Sequence, residues 1–210
     1  MRPRTLALGL TLFLGLALLL AWWGSPPPVA NLGPREGPIV ILGDSLAAGV
    51  GSASKQGFVG RLEQRLGVSI VNKGISGNTT RQGLDRLERD VLSLKPALVI
   101  VELGGNDFIQ KVPPDETFAN LEQIIARIQA QGAPVLLLGV QGGVFQDKAG
   151  GRYKSLARKM KTAYVANIMD GIWTNPALKD DTIHPNDAGY ERVAERIEPT
   201  LRRMLQAMQR

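Results

Sequence analysis

The sequence predicts an α/β fold: a single three-layer α/β/α domain around a flavodoxin-like parallel five-stranded sheet of order 2-1-3-4-5. Three observations predict it. Short apolar runs alternate with amphipathic stretches from residue 35 onward, Ala97–Leu103 is an almost unbroken apolar run, and no internal repeat or second domain interrupts the pattern. Strand–helix alternation implies a parallel sheet with right-handed crossovers. A strand covered on both faces reads as continuous apolar sequence.

Pro38–Leu42 reads as the first buried strand, ended by Gly43-Asp44-Ser45. Phe58–Leu66 is a helix closed by Gly67, and Val68–Asn72 is the second strand. Thr80–Leu94 is a helix stopped near Pro96, followed by the third strand, Ala97–Leu103. Pro114–Gln131 is a helix ended by Gly132, and Pro134–Val140 is the fourth strand. A helix near Arg152–Lys161 precedes a weak fifth strand around Val165–Met169. Asn186 and Asp187 can cap a last helix running to about Gln206. In such sheets ligands bind outside the carboxyl ends of the strands, near the switch point between strands 1 and 3.

Composition narrows the chemistry. The 210 residues contain no cysteine and one histidine, which excludes disulfides and thiolate catalysis and argues against a zinc or copper site. The net charge is +6, but basic and acidic residues are interleaved, as in Arg61–Arg65 and Glu191–Arg196. That pattern describes a solvated helix face and not a nucleic-acid surface. Beyond the first thirty residues roughly 180 remain, enough to bury a core without staples.

Residues 1–30 read as an export segment. Arg2 and Arg4 precede the uncharged run Thr5–Trp23, which ends in a tryptophan pair and a Gly-Ser-Pro-Pro-Pro spacer. The run of about 19 residues matches a membrane span, and the tryptophans suit its interface. It is expected to act either as a cleaved signal peptide or as a retained anchor with the domain outside. Without a following cysteine it is not a lipoprotein signal.

The residues just after each strand carry the chemistry. Gly43-Asp44-Ser45 follows strand 1, and Asn72 through Asn78, including Gly77, follows strand 2. Gly104-Gly105-Asn106-Asp107 follows strand 3, and Asp180 through Asn186 follows the weak fifth strand. Singly, Ser45 could be a helix cap, Asn106 a turn residue, His184 structural, and Gly77 merely a residue of positive φ. Together on one sheet edge they supply the nucleophile, oxyanion donors, base and base-orienter of acyl transfer. Pro185 disfavours helical geometry for His184, so the histidine and its carboxylate share an extended loop. Both Asp181 and Asp180 are candidates for that carboxylate.

These blocks resemble those of the SGNH, or GDSL, hydrolases, nearest to the bacterial periplasmic arylesterase, lysophospholipase and acyl-CoA thioesterase branch. The resemblance rests on Ile41–Leu46, Ile75–Thr79, Val101–Asp107 and Asp181–Asn186, within a match from about Ile39 to Met204. It implies an SGNH hydrolase catalytic domain over residues 36–210. Ser45 is then the nucleophile, with Asp181 and His184 completing the triad. The Ser45 and Gly77 N–H groups and the Asn106 side chain form the oxyanion hole. Asp44, Ile75, Phe108, Ile109 and Ile183 are assigned to substrate binding, and Gln141–Asp147 is expected to border the acyl groove. No cofactor and no metal are implied.

The expected activity is serine esterase hydrolysis of acyl (thio)esters, such as aryl esters, lysophospholipids or acyl thioesters. The alternative is a carbohydrate O-acetylesterase of the envelope. The expected partners are a small-molecule or lipid ester and a membrane surface or inner-membrane anchor, with no nucleic acid and no protein partner. The expected location is the bacterial periplasm. A phosphate-binding reading fails, because Gly49–Lys55 has Ser54 where both glycine patterns need glycine. A non-catalytic binding protein on the same fold is disfavoured by the presence of Ser45, Asn106, Asp181 and His184 together.

Overall fold

The structure, a computed structural model, describes residues 28–140 and 148–209, the side chains of 148–150 excepted. Thr5–Trp23, the predicted export segment, and Gln141–Asp147, the predicted groove border, lie outside the described residues. Among the described residues no helix is long and apolar enough to cross a membrane.

The five strands are β1 (Ile39–Gly43), β2 (Ile70–Gly74), β3 (Leu98–Glu102), β4 (Val135–Leu138) and β5 (Ala163–Val165). All neighbours pair in parallel, in the order β2-β1-β3-β4-β5. The helices are α1 (Ser45–Ala48), α2 (Gly57–Leu66), α3 (Thr80–Asp90), α4 (Gly105–Ile109), α5 (Pro114–Ala130), α6 (Lys148–Lys159) and α7 (Asp187–Met208).

Alternation along the central strands divides the core in two. Ile39 and Ile41 of β1 and Leu98 and Ile100 of β3 pack with Phe58 and Leu62 of α2 and Tyr190, Ile197 and Leu201 of α7. Val40, Leu42, Val99 and Val101 face the other way, onto Leu84 and Leu87 of α3, Leu121 and Ile124 of α5 and Leu156 of α6. Every residue of β1 and β3 is buried, as the continuous apolar runs require. The interleaved charges of α2 and α7 meet each other. Arg61 reaches Asp187 at 2.9 Å and Glu191 at 3.0 Å, and Arg65 reaches Glu198 at 2.7 Å.

Several boundaries differ from expectation. Strand β2 starts at Ile70 because the Val68 N–H is spent closing α2 on Glu63 O. Helix α3 stops at Asp90, and one 3₁₀ turn, Leu92–Leu94, leads to Lys95 in the left-handed region before Pro96. Strand β5 is Ala163–Val165 and not Val165–Met169. Gly139 N–H bonds Val165 O, the Ile168 N–H returns to Gly139 O, and the buried Ile168 and Met169 fill the core from a turn. Asn186 alone caps α7, accepting from Gly189 N–H at 3.0 Å, while Asp187 is its first residue. The short helices α1 and α4 have too few turns to show periodicity.

Candidate active site

Parallel register brings the strand ends level, with Gly43 paired to Gly74 on one side and to Glu102 on the other. The chain after each strand therefore leaves from one edge. After β1, Asp44 caps α1 by accepting the Leu46 N–H at 3.0 Å, which makes Ser45 the first helical residue, 8% exposed. After β2, the Ile75 N–H bonds Gly43 O at 3.1 Å. Gly77 then turns the chain at φ 80°, the left-handed geometry that its lack of a side chain makes inexpensive. Thr79 and Gln82 close α3 with a reciprocal capping box.

After β3, Gly104 has φ 116°, and a Cβ there would lie 2.1 Å from the Tyr153 hydroxyl, which donates to Leu103 O at 2.7 Å. This close approach aims α4 so that Asn106 Nδ2 donates to Asp44 Oδ2 at 3.0 Å and to Asn78 O at 3.1 Å. One amide hydrogen is thus anchored on a carboxylate. The other is on a neutral carbonyl, from which an oxyanion can capture it. The Ser45 and Gly77 N–H groups have no acceptor among the described residues.

The fourth segment folds on itself. A bridge pairs Lys179 with Pro185, and the Asp180 N–H donates to His184 O at 3.0 Å. Asp181 Oδ1 accepts the N–H groups of Ile183 and His184 at 2.6 and 2.7 Å. Its Oδ2 lies 2.7 Å from His184 Nδ1, and His184 Nε2 lies 2.9 Å from Ser45 Oγ. Asp181, not Asp180, is therefore the carboxylate on the ring. Burial pushes the Asp181 carboxyl up, but the bonds from the His184 ring and the two backbone N–H groups prevail and leave it at about 2. A carboxylate on Nδ1 fixes a tautomer with Nε2 open to take a proton, so the array can activate the Ser45 hydroxyl.

Of the residues assigned to substrate binding, Asp44 is 2% exposed, with its oxygens turned to Leu46 and Asn106. Ile75, Phe108, Ile109 and Ile183 are all exposed, between 36% and 46%, on segments that carry the polar site residues. Among the described residues no cluster of acidic or histidine side chains could hold a metal ion.

Sequence reasoning passed over residues that brace this edge. Arg86, 6% exposed on α3, donates from Nη2 to Gly43 O at 2.9 Å and from Nε to Asn78 Oδ1 at 2.7 Å. It also bonds Asp90, four residues on, a spacing common to solvated helix pairs, and no local signal marks it otherwise. Asp107, 1% exposed, accepts the Thr80 N–H at 2.7 Å and the Thr80 hydroxyl, tying α4 to α3. Its place in the block after β3 was the available signal.

Comparison with known proteins is consistent with this geometry. Residues 41–192 match the GDSL-like lipase/acylhydrolase family. The chain is 35% identical over 178 residues to Esterase TesA of Pseudomonas aeruginosa, covering 80% of this chain and 89% of that one. It is 32% identical over 165 residues to thioesterase 1/protease 1/lysophospholipase L1 of Escherichia coli, covering 75% and 79%. An acetylxylan esterase of Geobacillus stearothermophilus is 27% identical over 184 residues, covering 76% and 81%. The crystal structure of a TesA superposes with a TM-score of 0.74 at 35% identity, covering 80% of this chain and 99% of that one.

Proposed function

The chain is a carboxylic ester hydrolase belonging to the GDSL-like lipase/acylhydrolase family, and from that premise we propose that it cleaves acyl-chain esters and thioesters through an acyl-enzyme on Ser45. The observation that carries this reading is the relay Ser45 Oγ–His184 Nε2 at 2.9 Å and His184 Nδ1–Asp181 Oδ2 at 2.7 Å. His184 takes the Ser45 proton as Oγ attacks the carbonyl carbon. The resulting oxyanion is held by the Ser45 and Gly77 N–H groups and by the Asn106 hydrogen released from Asn78 O. His184 then gives its proton to the departing alcohol or thiol, leaving acyl-Ser45. Water, deprotonated by the same nitrogen, releases the acid and restores the hydroxyl.

The apolar side chains of Ile75, Phe108, Ile109 and Ile183 favour an acyl chain as the group beside Ser45. A second reading, carbohydrate O-acetyl esters, has the acetylxylan esterase relative in its favour. A series of p-nitrophenyl esters of increasing chain length, run beside acetylated xylan, decides between them. The acyl-chain reading expects kcat/KM to rise from acetate toward medium chains. Release of acetate from xylan with no turnover of longer esters overturns it in favour of the second.

We further propose an exported enzyme of the periplasm, either released or tethered by Thr5–Trp23. Arg2 and Arg4 ahead of that apolar run are what support this location.

A further inference from the structure

Directly beneath the nucleophile lies a second carboxyl that the reaction does not touch. Glu102 ends β3 with no exposure, level with Gly43 and one residue from Asp44 across the strand pair. Its Oε2 accepts the Asp44 N–H at 3.2 Å, and its Oε1 has no hydrogen-bond partner among the described residues. The Asp44 and Glu102 carboxyl groups are thus buried as neighbours, 2% and 0% exposed, and the charge of Asp44 acts on Glu102. Two neighbouring carboxyls shut away from water do not readily both ionise, so the pair favours holding one proton. Asp44 already accepts from the Leu46 N–H and Asn106 Nδ2, an arrangement that suits the ionised form. Glu102 accepts from backbone N–H groups only, and its Oε1 from none among the described residues, so it is the better holder of the proton.

We propose that Glu102 is a positioning residue of the oxyanion hole, donating its carboxyl proton to Asp44 so that Asp44, as the carboxylate, holds the Asn106 amide. The inference rests on the esterase reading of the site and deepens it. Burial first, and then the charge of Asp44, push the Glu102 carboxyl well above the ordinary range, against bonds from the Asp44 and Ala47 backbone. Burial likewise pushes Asp44 up to about 6, opposed by the Leu46 N–H, Glu102, the His184 charge and Asn106. The other titratable groups around the pair are Tyr153 from α6, Tyr190 from α7 and Asp107 from α4. Both phenols are raised, chiefly by burial, and stay neutral beside the pair.

The sign of the pH effect follows. Asp44 is ionised above about 6, so its grip on Asn106 is complete at higher pH and is lost as pH falls through that value. Removing the Glu102 donor takes away one of the influences that hold Asp44 down, so the loss then sets in at higher pH.

The test compares Glu102→Leu, which fills the space without a donor, with Glu102→Gln, which keeps both a donor and an acceptor. Glu102→Leu is expected to lower kcat by about 10²-fold, the scale of a misplaced catalytic group, with KM little changed and the acid limb moved to higher pH. Glu102→Gln is expected to recover most of that loss. Infrared spectroscopy at neutral pH, which needs no turnover, is expected to show a protonated carboxyl in the wild type that is absent from Glu102→Gln. Wild-type kcat and limb in Glu102→Leu would overturn the proposal, as would a folded Glu102→Gln no better than it, or absence of the infrared band. Should Glu102→Leu not fold, Glu102→Gln decides alone: a kcat loss beyond about tenfold against wild type rejects the proton-donor role. If the wild type hydrolyses no ester, it is the functional reading that fails, and the infrared band still reports the proton.

Discussion

Ser45 and Asn106 stand at the ends of β1 and β3, above buried Asp44, Glu102 and Arg86, whereas Asp181 and His184 sit in a loop without regular secondary structure. The Asp181 side chain is 49% exposed and that of His184 16%. The two halves are held differently. Sheet register sets the first, and Asp44, Asn106 and Arg86 bond the strand ends and helix starts around it. The second depends on a few local bonds and on ties to the Gly49–Ser54 loop. Tyr190 donates to Val50 O at 2.5 Å, and Asp187 accepts the Ser52 hydroxyl at 2.9 Å. The lesson is that core packing supplies precision to the nucleophile and oxyanion donors, while short hydrogen-bonded turns supply it to the base. Both halves must nevertheless act in one proton transfer, so chemical cost and structural cost should divide along different lines.

The largest effects should ignore the division. Ser45→Ala and His184→Ala are each expected to lower kcat on a p-nitrophenyl ester by about 10⁴-fold or more, and the double variant should fall little further, since the two act as a unit. Fluorophosphonate should label the wild type on Ser45. A double variant far slower than either single one would mean that the halves contribute separately, and the relay reading would fall.

Asn106→Ala comes next, at roughly 10²–10³ in kcat with a much smaller change in KM, the usual cost of one oxyanion donor. Here the division begins to show. The alanine also leaves Asp44 without one of its hydrogen bonds in a buried place, so this variant should lose stability as well as rate. An effect confined to KM would make Asn106 a substrate contact instead.

The same contrast governs what could be read from sequence. Strands β1 and β3 were legible because burial on both faces leaves an unbroken apolar run, and their ends identified where Ser45 and Asn106 emerge. Strand β5 was misplaced because the apolar Ile168 and Met169 belong to a turn that packs into the core, a distinction that hydrophobicity does not encode. Asp181 was separable from Asp180 by the resemblance alone, since either carboxylate is close enough in sequence to reach the ring. The burial of Asp44 was not legible, because the depth of a short acidic side chain depends on which helix covers it. Arg86 was invisible. An arginine four residues before an aspartate reads as a solvated pair until the fold turns it under Gly43 and Asn78.

The smallest prediction separates the halves most sharply, by deleting one helix cap in each. Asn186 caps α7, and its Nδ2 also donates to Ala177 O at 2.9 Å and Lys179 O at 3.2 Å, so it closes the turn that carries Asp181 and His184. Thr79 caps α3 at the other half, where Arg86 and Asp107 independently tie the same segment to the sheet edge. Each alanine substitution is expected to cost about 1–2 kcal/mol, the usual value of a cap. In a domain of this size that is a fall of several degrees in Tm, at about 2–4 °C per kcal/mol. Rate should not follow stability. Asn186→Ala frees the loop that alone orients the base, so kcat should drop by up to about tenfold, a partial misplacement. Thr79→Ala leaves Asn78 and Asn106 braced by buried partners and should cost less in kcat than Asn186→Ala. Thermal melts paired with kcat at saturating p-nitrophenyl ester test this directly. A Thr79→Ala variant that loses more activity than Asn186→Ala, at equal loss of Tm, would show that the buried half is the more loosely held of the two.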